Sequence, residues 1–284
     1  MIRIGTRGSA LARAQAQIVA DALGDAELVL ISTAGDRSAR PIRELGDGVF
    51  VTAIEDALRA HEIDVAVHSL KDLPTAVAPD LAIAAIPARE DPRDLCVTRE
   101  RTGVDGLRAG MRVGTSSPRR AAFIAALAPG IVCHEIRGNV DTRLAKVERG
   151  EYDAVMLAAA GLRRLGIAFA EHEALSLADV LPAPGQGALA VQTRADDPLR
   201  DRIAAALDDA AVRAAVTAER EVLRLLGASC ELALGCYGRF VGQTLTVDAA
   251  FADGHAIRRA HAEGSDPLEV AASAARALAE PAHV

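Results

Sequence analysis

Residues 65–74 contain the feature that most constrains how this chain can fold. An apolar, strand-like run at 65–67 breaks into the polar cluster HSLKD at 68–72 and stops at a proline. In an open α/β sheet, ligands bind at the carboxyl ends of the strands, where loops carry polar groups. Lys71 is one of two lysines in a chain with thirty arginines, and it stands beside Asp72. These residues alone favour a functional site and a simple surface ion pair equally.

The same order of strand, polar turn and helix recurs along the chain. Ser9, Ser117 and Asn139 are placed to cap helices that follow such turns, and Pro118 suits the first helical position. Apolar runs predict strands at 2–4, 28–31, 65–67, 81–86, 112–114, 131–136, 152–157, 188–192, 245–251 and 256–262. This alternation predicts an α/β fold.

Two proline-bounded breaks, at 87–92 and 181–187, indicate where the chain crosses between domains. The predicted architecture has two α/β lobes joined by these two crossovers, plus a small C-terminal α+β domain. The predicted domains are 1–88 with 188–208, then 93–182, and last 211–284. The polar, aperiodic stretch 33–47 is predicted to be a lid loop of the first domain.

Arginines gather where predicted strands meet predicted helices. Arg7 lies in the turn before the first helix, a geometry that binds anions. Arg119 and Arg120 fall in the first turn of a helix, where they oppose the helix dipole, so we expect a bound anion to compensate them. Arg137, Arg143 and Arg164 follow later strands. Because guanidinium groups match carboxylates and phosphates, the ligand is expected to carry several of these groups.

Composition excludes several classes of protein. A net charge of -7 and an isoelectric point near 5.6 argue against general nucleic-acid binding. The chain enters a strand directly, without a signal-peptide core, and holds no apolar run long enough to span a membrane. The four cysteines show no metal-binding spacing, so no metal site is predicted. We expect a cytoplasmic monomer that binds neither nucleic acid nor membrane.

Taken together, these motifs resemble the porphobilinogen deaminase family, also called hydroxymethylbilane synthases. The resemblance covers most of the chain and is weakest in its C-terminal part. The matching motifs are GTR at 5–7 with Ser9 and Gln15, VHSLKDLP at 67–74, REDPRD at 89–94, GTSSPRR at 114–120, RGNVDTRL at 137–144, AGLRRLG at 160–166 and LPAPGQG at 181–187. The resemblance favours the functional interpretation of Lys71 and Asp72, and it implies two lobes like those of type II periplasmic binding proteins.

The resemblance implies a transferase of porphyrin, tetrapyrrole and heme biosynthesis. Such an enzyme condenses four porphobilinogen molecules into linear hydroxymethylbilane and releases ammonia. It carries a dipyrromethane cofactor in thioether linkage to a cysteine, here Cys230, and Asp72 corresponds to the catalytic carboxylate. Phe50 ends the lid. The residues expected to bind the cofactor are Lys71, Thr115, Ser116, Ser117, Arg119 and Arg120. The residues expected to bind substrate or the growing chain are Arg7, Ser9, Gln15, Arg137, Gly138, Asn139, Arg143 and Arg164.

Two departures from the family pattern keep alternatives open. Asp47 stands where the lid often has a lysine, and Ala228 and Ser229 precede the cysteine where glycines are usual. A catalytically silent homologue is therefore one alternative. The other is a two-lobed protein that binds a carboxylate ligand without turnover.

Overall fold

The computed structural model of the protein describes residues 1–37, 48–227, 233–252 and 256–279. The chain divides into two compact units. Unit 1 is Met1–Glu90 with Ala188–Ala214, and unit 2 is Asp91–Gly187 with Ala215–Val284. The chain therefore leaves and re-enters unit 1 at the two proline-bounded breaks. The finer division into three domains stays a prediction.

Strands and helices alternate through most of the described residues, which confirms the predicted α/β class. The strands are β1 Ile2–Thr6, β2 Ala26–Leu30, β3 Val65–Ser69, β4 Leu81–Ala85, β5 Asp94–Thr98, β6 Arg112–Gly114, β7 Val132–His134, β8 Ala154–Ala158, β9 Leu189–Arg194, β10 Leu234–Val241, β11 Thr244–Ala252 and β12 Ile257–Gly264. The α-helices are α1 Ala10–Leu23, α2 Ala34–Arg37, α3 Thr52–Arg59, α4 Pro118–Leu127, α5 Val140–Glu148, α6 Ala159–Arg164, α7 Leu199–Leu207, α8 Ala210–Leu225 and α9 Pro267–Ala279.

Unit 1 is built on a five-stranded sheet in the order β2-β1-β3-β9-β4. β1 runs parallel to β2 and to β3, whereas β9 runs antiparallel to β3 and β4. Helix α1 buries Ala16, Val19 and Leu23 against this sheet, at the spacing of one helical face. The Ser9 side chain accepts a hydrogen bond from the Ala12 N–H, which confirms the predicted N-cap. Since β1 and β3 are parallel neighbours, the residues after both strands lie at one edge of the sheet.

Unit 2 contains a four-stranded sheet in the order β5-β8-β6-β7. β6 runs parallel to both β7 and β8, and only the edge strand β5 is antiparallel. Ser117 caps α4 by accepting from the Arg120 backbone N–H, and Pro118 opens the helix. Asn139 occupies the N-cap position of α5, but its side chain makes no capping hydrogen bond. Three parallel strands therefore bring three polar turns to one edge of this sheet.

Unit 2 also holds an antiparallel sheet, β10-β11-β12, packed against α8 and α9. β5 and β10 were not among the predicted strands. Every residue of β5 is buried, so the strand lacks the alternation that marks a half-exposed one. β10 contains two glycines, which disfavour strands. At Gly238 an added Cβ would lie 2.8 Å from the Ala215 carbonyl oxygen, so glycine permits the close approach of helix α8.

Candidate active site

The predicted site residues of unit 1 follow β1 and β3. Arg7 comes directly after β1, while Lys71 and Asp72 lie in a 3₁₀ turn, Leu70–Asp72, directly after β3. The Asp72 side chain is exposed and makes no hydrogen bond or ion pair with any residue that the structure describes, whereas Lys71 is half-buried. A carboxylate in this position is available to a ligand.

The strand end that carries Lys71 and Asp72 is held from beneath by buried polar side chains. Gln15 of α1 donates its amide N–H to the Ser69 hydroxyl at 2.9 Å. His68 Nε2 lies 3.2 Å from Gln192 Oε1, and Gln192 donates to a carboxylate oxygen of Glu55 at 2.9 Å. Because the Gln192 amide oxygen must then accept, His68 carries its proton on Nε2. These contacts fix the direction in which β3 ends.

Within this hydrogen-bonded group at the end of β3, the His68 side chain is uncharged. Burial lowers the pKa of His68 to about 4, although its hydrogen bond to Gln192 opposes the shift. The imidazole is therefore neutral at pH 7 and serves as a hydrogen-bond donor to Gln192. Gln15 was predicted to bind substrate, but in this structure its amide pairs with Ser69. Sequence reasoning assigned no role to His68, Gln192 or Glu55.

Phe50, predicted at the end of the lid, lies against Arg7. The guanidinium carbon of Arg7 is 3.9 Å from the Phe50 ring centroid, within the range of a cation–π contact. The ring occupies the space beside Gly35, where an added Cβ would fall 2.1 Å from a ring carbon. The Gly35 N–H also donates to the Val49 carbonyl at 3.1 Å, so both ends of the predicted lid meet here. Asp47 lies outside the described residues.

In unit 2, the turn after β6 is closed by its own hydroxyl groups. Ser116 donates to the Ile136 carbonyl at 2.7 Å and so links this turn to the chain leaving β7. The Thr115 hydroxyl accepts from the Ser117 N–H at 3.2 Å. All three side chains lie where they were predicted, and each one orders the turn from which Arg119 and Arg120 extend.

Arg119 and Arg120 are buried, and both pair with one carboxylate, that of Asp94. Arg119 Nη1 donates to Asp94 Oδ2 at 2.6 Å, and Arg120 Nη2 donates to Oδ1 at 2.7 Å. Gln186 Nε2 donates to Oδ1 at 2.9 Å. Burial alone would raise the pKa of Asp94, but the charges and hydrogen bonds of the two arginines outweigh it and hold that pKa well below its usual range.

This cluster corrects the expectation that a bound anion compensates the two arginines against the helix dipole. The protein supplies that anion itself, as Asp94 at the start of β5. Sequence reasoning missed this role because β5 was not predicted. The RD pair at 93–94 was visible only as part of a motif. Two guanidinium groups against one carboxylate still leave one net positive charge.

Arg143 adds a further cation close to this cluster. Its Nε donates to the Gly138 carbonyl at 2.8 Å, and no described carboxylate lies within ion-pair distance of its guanidinium. Burial lowers the pKa of Arg143, and the charges of Arg120 and Arg137 lower it further. Gly138 has a φ of 114°, a backbone conformation that favours glycine. Such crowding of cations suits an anionic ligand.

The remaining predicted residues of unit 2 border the same sheet edge. Arg137 follows β7, and its carbonyl accepts from Lys146 Nζ at 3.2 Å. Arg164 ends helix α6, which follows β8, and donates to the Gly187 carbonyl at 2.6 Å. Asn139 is exposed at the start of α5. The structure therefore places every described unit 2 residue of the prediction in a turn or helix after β6, β7 or β8.

The cysteines differ in their suitability as attachment points. Cys230, the predicted one, lies outside the described residues. Cys96 and Cys236 are buried and Cys133 is half-buried. Burial raises the pKa of Cys96 to about 12 and also raises that of Cys133. Because the thiolate is the reactive form, these two described thiols are poor nucleophiles.

The donors of unit 2 fit a ligand rich in carboxylates. The Nε of Arg119 is buried and meets no acceptor in the described part of the chain. A buried donor left unsatisfied is costly, and a carboxylate ligand would relieve that cost.

No group of histidine, cysteine and acidic side chains suited to a metal ion occurs among the described residues. None of their helices is long and apolar enough to cross a membrane.

Guanidinium groups at the strand ends of an α/β fold suit a protein that takes anionic ligands, and comparison with known proteins identifies the family. The family model "Porphobilinogen deaminase, dipyromethane cofactor binding domain" matches residues 2–201. Porphobilinogen deaminase of Mycobacterium tuberculosis (strain ATCC 25618 / H37Rv) is 53% identical over 245 residues, covering 85% of this chain and 79% of its own. The enzyme of Nocardia farcinica is 49% identical over 293 residues, covering 98% and 84%. This chain belongs to the porphobilinogen deaminase family.

Family membership confirms several predictions from the sequence. The chain is a transferase of porphyrin and heme biosynthesis, and it contains the family's domain for the dipyrromethane cofactor. Among solved structures, an arginine-specific periplasmic binding protein of Salmonella typhimurium is similar, with a TM-score of 0.40 and 14% identity over 72% of this chain and 90% of its own. The periplasmic VFT2 domain of Bordetella pertussis BvgS gives 0.41 and 17% over 72% and 86%. Likenesses at this level carry no conclusion about ligand or activity.

Proposed function

We propose that this protein condenses four porphobilinogen molecules stepwise into hydroxymethylbilane on a dipyrromethane primer held by Cys230. Each condensation forms one carbon–carbon bond and breaks the aminomethyl carbon–nitrogen bond of the substrate. The displaced pyrrole hydrogen leaves with the amine as ammonia, and water finally releases the linear product. The observation that carries this proposal is the group of guanidiniums after β6, β7 and β8, within a chain of this family.

The arginines are proposed to bind side-chain carboxylates. Each porphobilinogen carries two carboxylates, so a growing product accumulates negative charge that guanidinium groups can hold by charge-assisted hydrogen bonds. Lys71, Arg119 and Arg120 would hold the cofactor, and the hydroxyl groups of Thr115, Ser116 and Ser117 would order the turn after β6. Arg7 and Arg143 would hold substrate or product, together with the other residues predicted for that role.

Asp72 is proposed to stabilise positive charge on the pyrrole rings. Loss of ammonia from porphobilinogen leaves a cationic pyrrole, which the arginines proposed to bind its carboxylates would repel. The exposed Asp72 carboxylate is the complementary charge, and it can accept the proton displaced by the new bond. The cofactor, when bound, supplies the pyrrole carbon at which chain growth starts.

We further propose that the protein acts as a cytoplasmic monomer with no nucleic-acid or membrane partner, and that its C-terminal residues 211–284 form a third domain. The net charge of -7 supports the absence of a nucleic-acid partner. The antiparallel sheet β10-β11-β12, with its own apolar core, supports the third domain.

The proposal is tested by the intact and native mass of the purified protein. We expect a covalent addition of two pyrrole units on a single copy of the chain, and we expect Cys230→Ser to lose the addition and the activity together. Cys236→Ala is the control, because Cys236 lies within β10 with its side chain buried in the core, and it should not carry the group.

An unmodified protein that is fully active would overturn the covalent primer. An unmodified protein that binds porphobilinogen without turnover would favour the carboxylate-binding alternative, and a modified but inactive one would favour the silent homologue. A doubled native mass would contradict the monomer.

A further inference from the structure

Asp94 is a fully buried carboxylate of unit 2 that has none of the roles proposed above. It begins β5, where its backbone carbonyl accepts from the Leu175 N–H at 2.8 Å. Its side chain is fully buried, and its two oxygens accept four hydrogen bonds from three side chains. A carboxylate so enclosed is held rigidly, because each oxygen is fixed by donors that are themselves buried.

The two arginines are held by more than Asp94. Arg119 Nη1 also donates to the Leu181 carbonyl at 2.6 Å, and Arg120 Nη1 donates to the Met156 carbonyl at 3.1 Å. Gln186 Nε2 donates to the Pro92 carbonyl at 2.7 Å, which ties the second crossover to the first. The cluster therefore links β5, β8, α4 and both crossovers around one carboxylate.

The two guanidinium groups differ in how many of their N–H donors make hydrogen bonds within the protein. A guanidinium has five N–H donors. Arg120 uses four of them in hydrogen bonds to Asp94, Met156 and Gln186. Arg119 uses only those of its Nη1, which donates to Asp94 and to the Leu181 carbonyl. Its Nε, although buried, meets no acceptor among the described residues. Asp94 thus orients Arg119 so that its Nε and Nη2 donors, which share one edge of the fork, make no hydrogen bond with a described residue.

We propose that Asp94 is a positioning residue for cofactor binding: it clamps Arg119 and Arg120 in one orientation, reduces their charge to one, and leaves one fork edge for a ligand carboxylate. This inference rests on the proposed function, since it assumes that Arg119 and Arg120 bind the dipyrromethane. It assigns Asp94 no contact with the reacting atoms.

Unit 2 offers a matched control for a buried carboxylate. Glu173 is fully buried and accepts from Arg101 Nε at 2.7 Å and Nη2 at 2.9 Å, but it touches neither Arg119 nor Arg120. Glu173→Gln and Asp94→Asn each remove one buried charge from beside an arginine. Both should lower the thermal midpoint, whereas only the second should change the orientation of the proposed cofactor ligands.

The experiment follows cofactor loading by intact mass. Apoprotein from a host unable to make porphobilinogen is incubated with porphobilinogen well below the thermal midpoint of every variant. We expect Asp94→Asn to load about tenfold to a hundredfold more slowly than wild type, since it loosens charge-assisted hydrogen bonds of both arginines. Glu173→Gln should load at the wild-type rate. Sulfate should raise the thermal midpoint of Asp94→Asn more than that of wild type or Glu173→Gln, by replacing the lost anion.

Asp94→Glu separates charge from position. It keeps the net charge but moves the carboxylate by one methylene group, so a positioning role predicts slow loading in a folded protein. Normal loading by Asp94→Glu overturns the proposal, and it decides alone if Asp94→Asn does not fold. Equal slowing by Glu173→Gln also overturns it. If wild type itself gains no mass, the proposed function fails instead, which keeps the two failures apart.

Discussion

The two sheet edges that carry the proposed site differ in how they hold their charges. In unit 1 the proposed catalytic group is a single acid, Asp72, which is exposed and makes no described ion pair. In unit 2 the proposed cofactor ligands are Arg119 and Arg120, which are buried and already paired with Asp94. Both edges lie at the carboxyl ends of parallel strands, yet one presents its charge to solvent and the other encloses it.

This difference follows from what each edge is proposed to do. A group that must exchange protons and meet several rings in turn has to remain accessible. Water stabilises the charged form of such a group, so its exposure does not disfavour ionisation. Cations that hold one permanent group gain from being oriented before the ligand arrives, because less ordering is then required on binding. The contrast predicts that changes at the exposed edge strongly affect turnover. Changes at buried residues should instead affect cofactor loading or the stability of the fold.

The largest effect is expected at Asp72. Asp72→Asn keeps the shape and removes the charge that faces a cationic pyrrole, so turnover should fall about a thousandfold, as expected for opposite charges about 4 Å apart in a partly shielded site. Asp72→Glu keeps the charge in a shifted position and should retain a measurable fraction. Steady-state rates and equilibrium binding of porphobilinogen are measured for both variants.

Substrate binding should survive both substitutions at Asp72, because the substrate carboxylates are proposed to contact other residues. Asp80→Asn is the matched control, since Asp80 is also a largely exposed acid of unit 1 and pairs with Arg59 instead. Equal loss of turnover in the Asn and Glu variants, together with failed binding in both, would show that Asp72 is structural.

The second prediction concerns the difference in acid sensitivity between unit 1 and unit 2. The folded-state pKa of His68, about 4, lies below its unfolded value of 6.5, so the unfolded chain binds the proton more readily. The stability that neutral His68 contributes is complete above pH 6.5 and is lost as the pH falls toward 4, by about 3 kcal/mol. Asp94, whose pKa is held well below its usual range, stays ionised over this interval.

Acid should therefore loosen β3 before it loosens the cluster around Asp94. Hydrogen exchange at pH 6.5, 5 and 4, corrected for intrinsic rates, should show protection falling first in peptides that cover 65–69 and later in those covering 112–120. His68→Gln, whose amide can still donate to Gln192, should remove this difference, and the exposed His134→Gln should not. Unchanged acid sensitivity in His68→Gln would exclude His68 as its source.

Much of the fold and the approximate location of the site could be predicted from local patterns. Ser9 and Ser117 signal helix starts within a few residues of the turns they cap, and Lys71 and Asp72 stand directly after an apolar run. The support beneath these residues could not be found this way. His68 pairs with Gln192, 124 residues away, and Asp94 pairs with Arg119, 25 residues away. Such partners are set by sheet order, which local periodicity does not encode.

The smallest effect is expected at Phe50, and it sharpens the contrast between unit 1 and unit 2. Its ring holds the Arg7 guanidinium at 3.9 Å, so Arg7 is oriented by an aromatic face, whereas Arg119 is oriented by a buried carboxylate. A cation–π contact at a partly exposed site contributes about 0.5–1 kcal/mol. Phe50→Leu should raise KM for porphobilinogen about twofold to fivefold. The value of kcat should stay nearly unchanged, because Arg7 is proposed to bind a side-chain carboxylate rather than the reacting centre.

Two further variants separate the ring contact from simple loss of bulk. Phe50→Tyr keeps the aromatic face and should retain the wild-type KM. Gly35→Ala keeps the Phe50 side chain, but its new Cβ would lie 2.1 Å from the present position of a ring carbon, so the ring must shift from its present position against Arg7. Gly35→Ala should therefore raise KM as Phe50→Leu does. If Gly35→Ala displaces the ring and leaves KM unaltered, Phe50 does not orient Arg7, and the exposed edge of unit 1 works without preorganised cations.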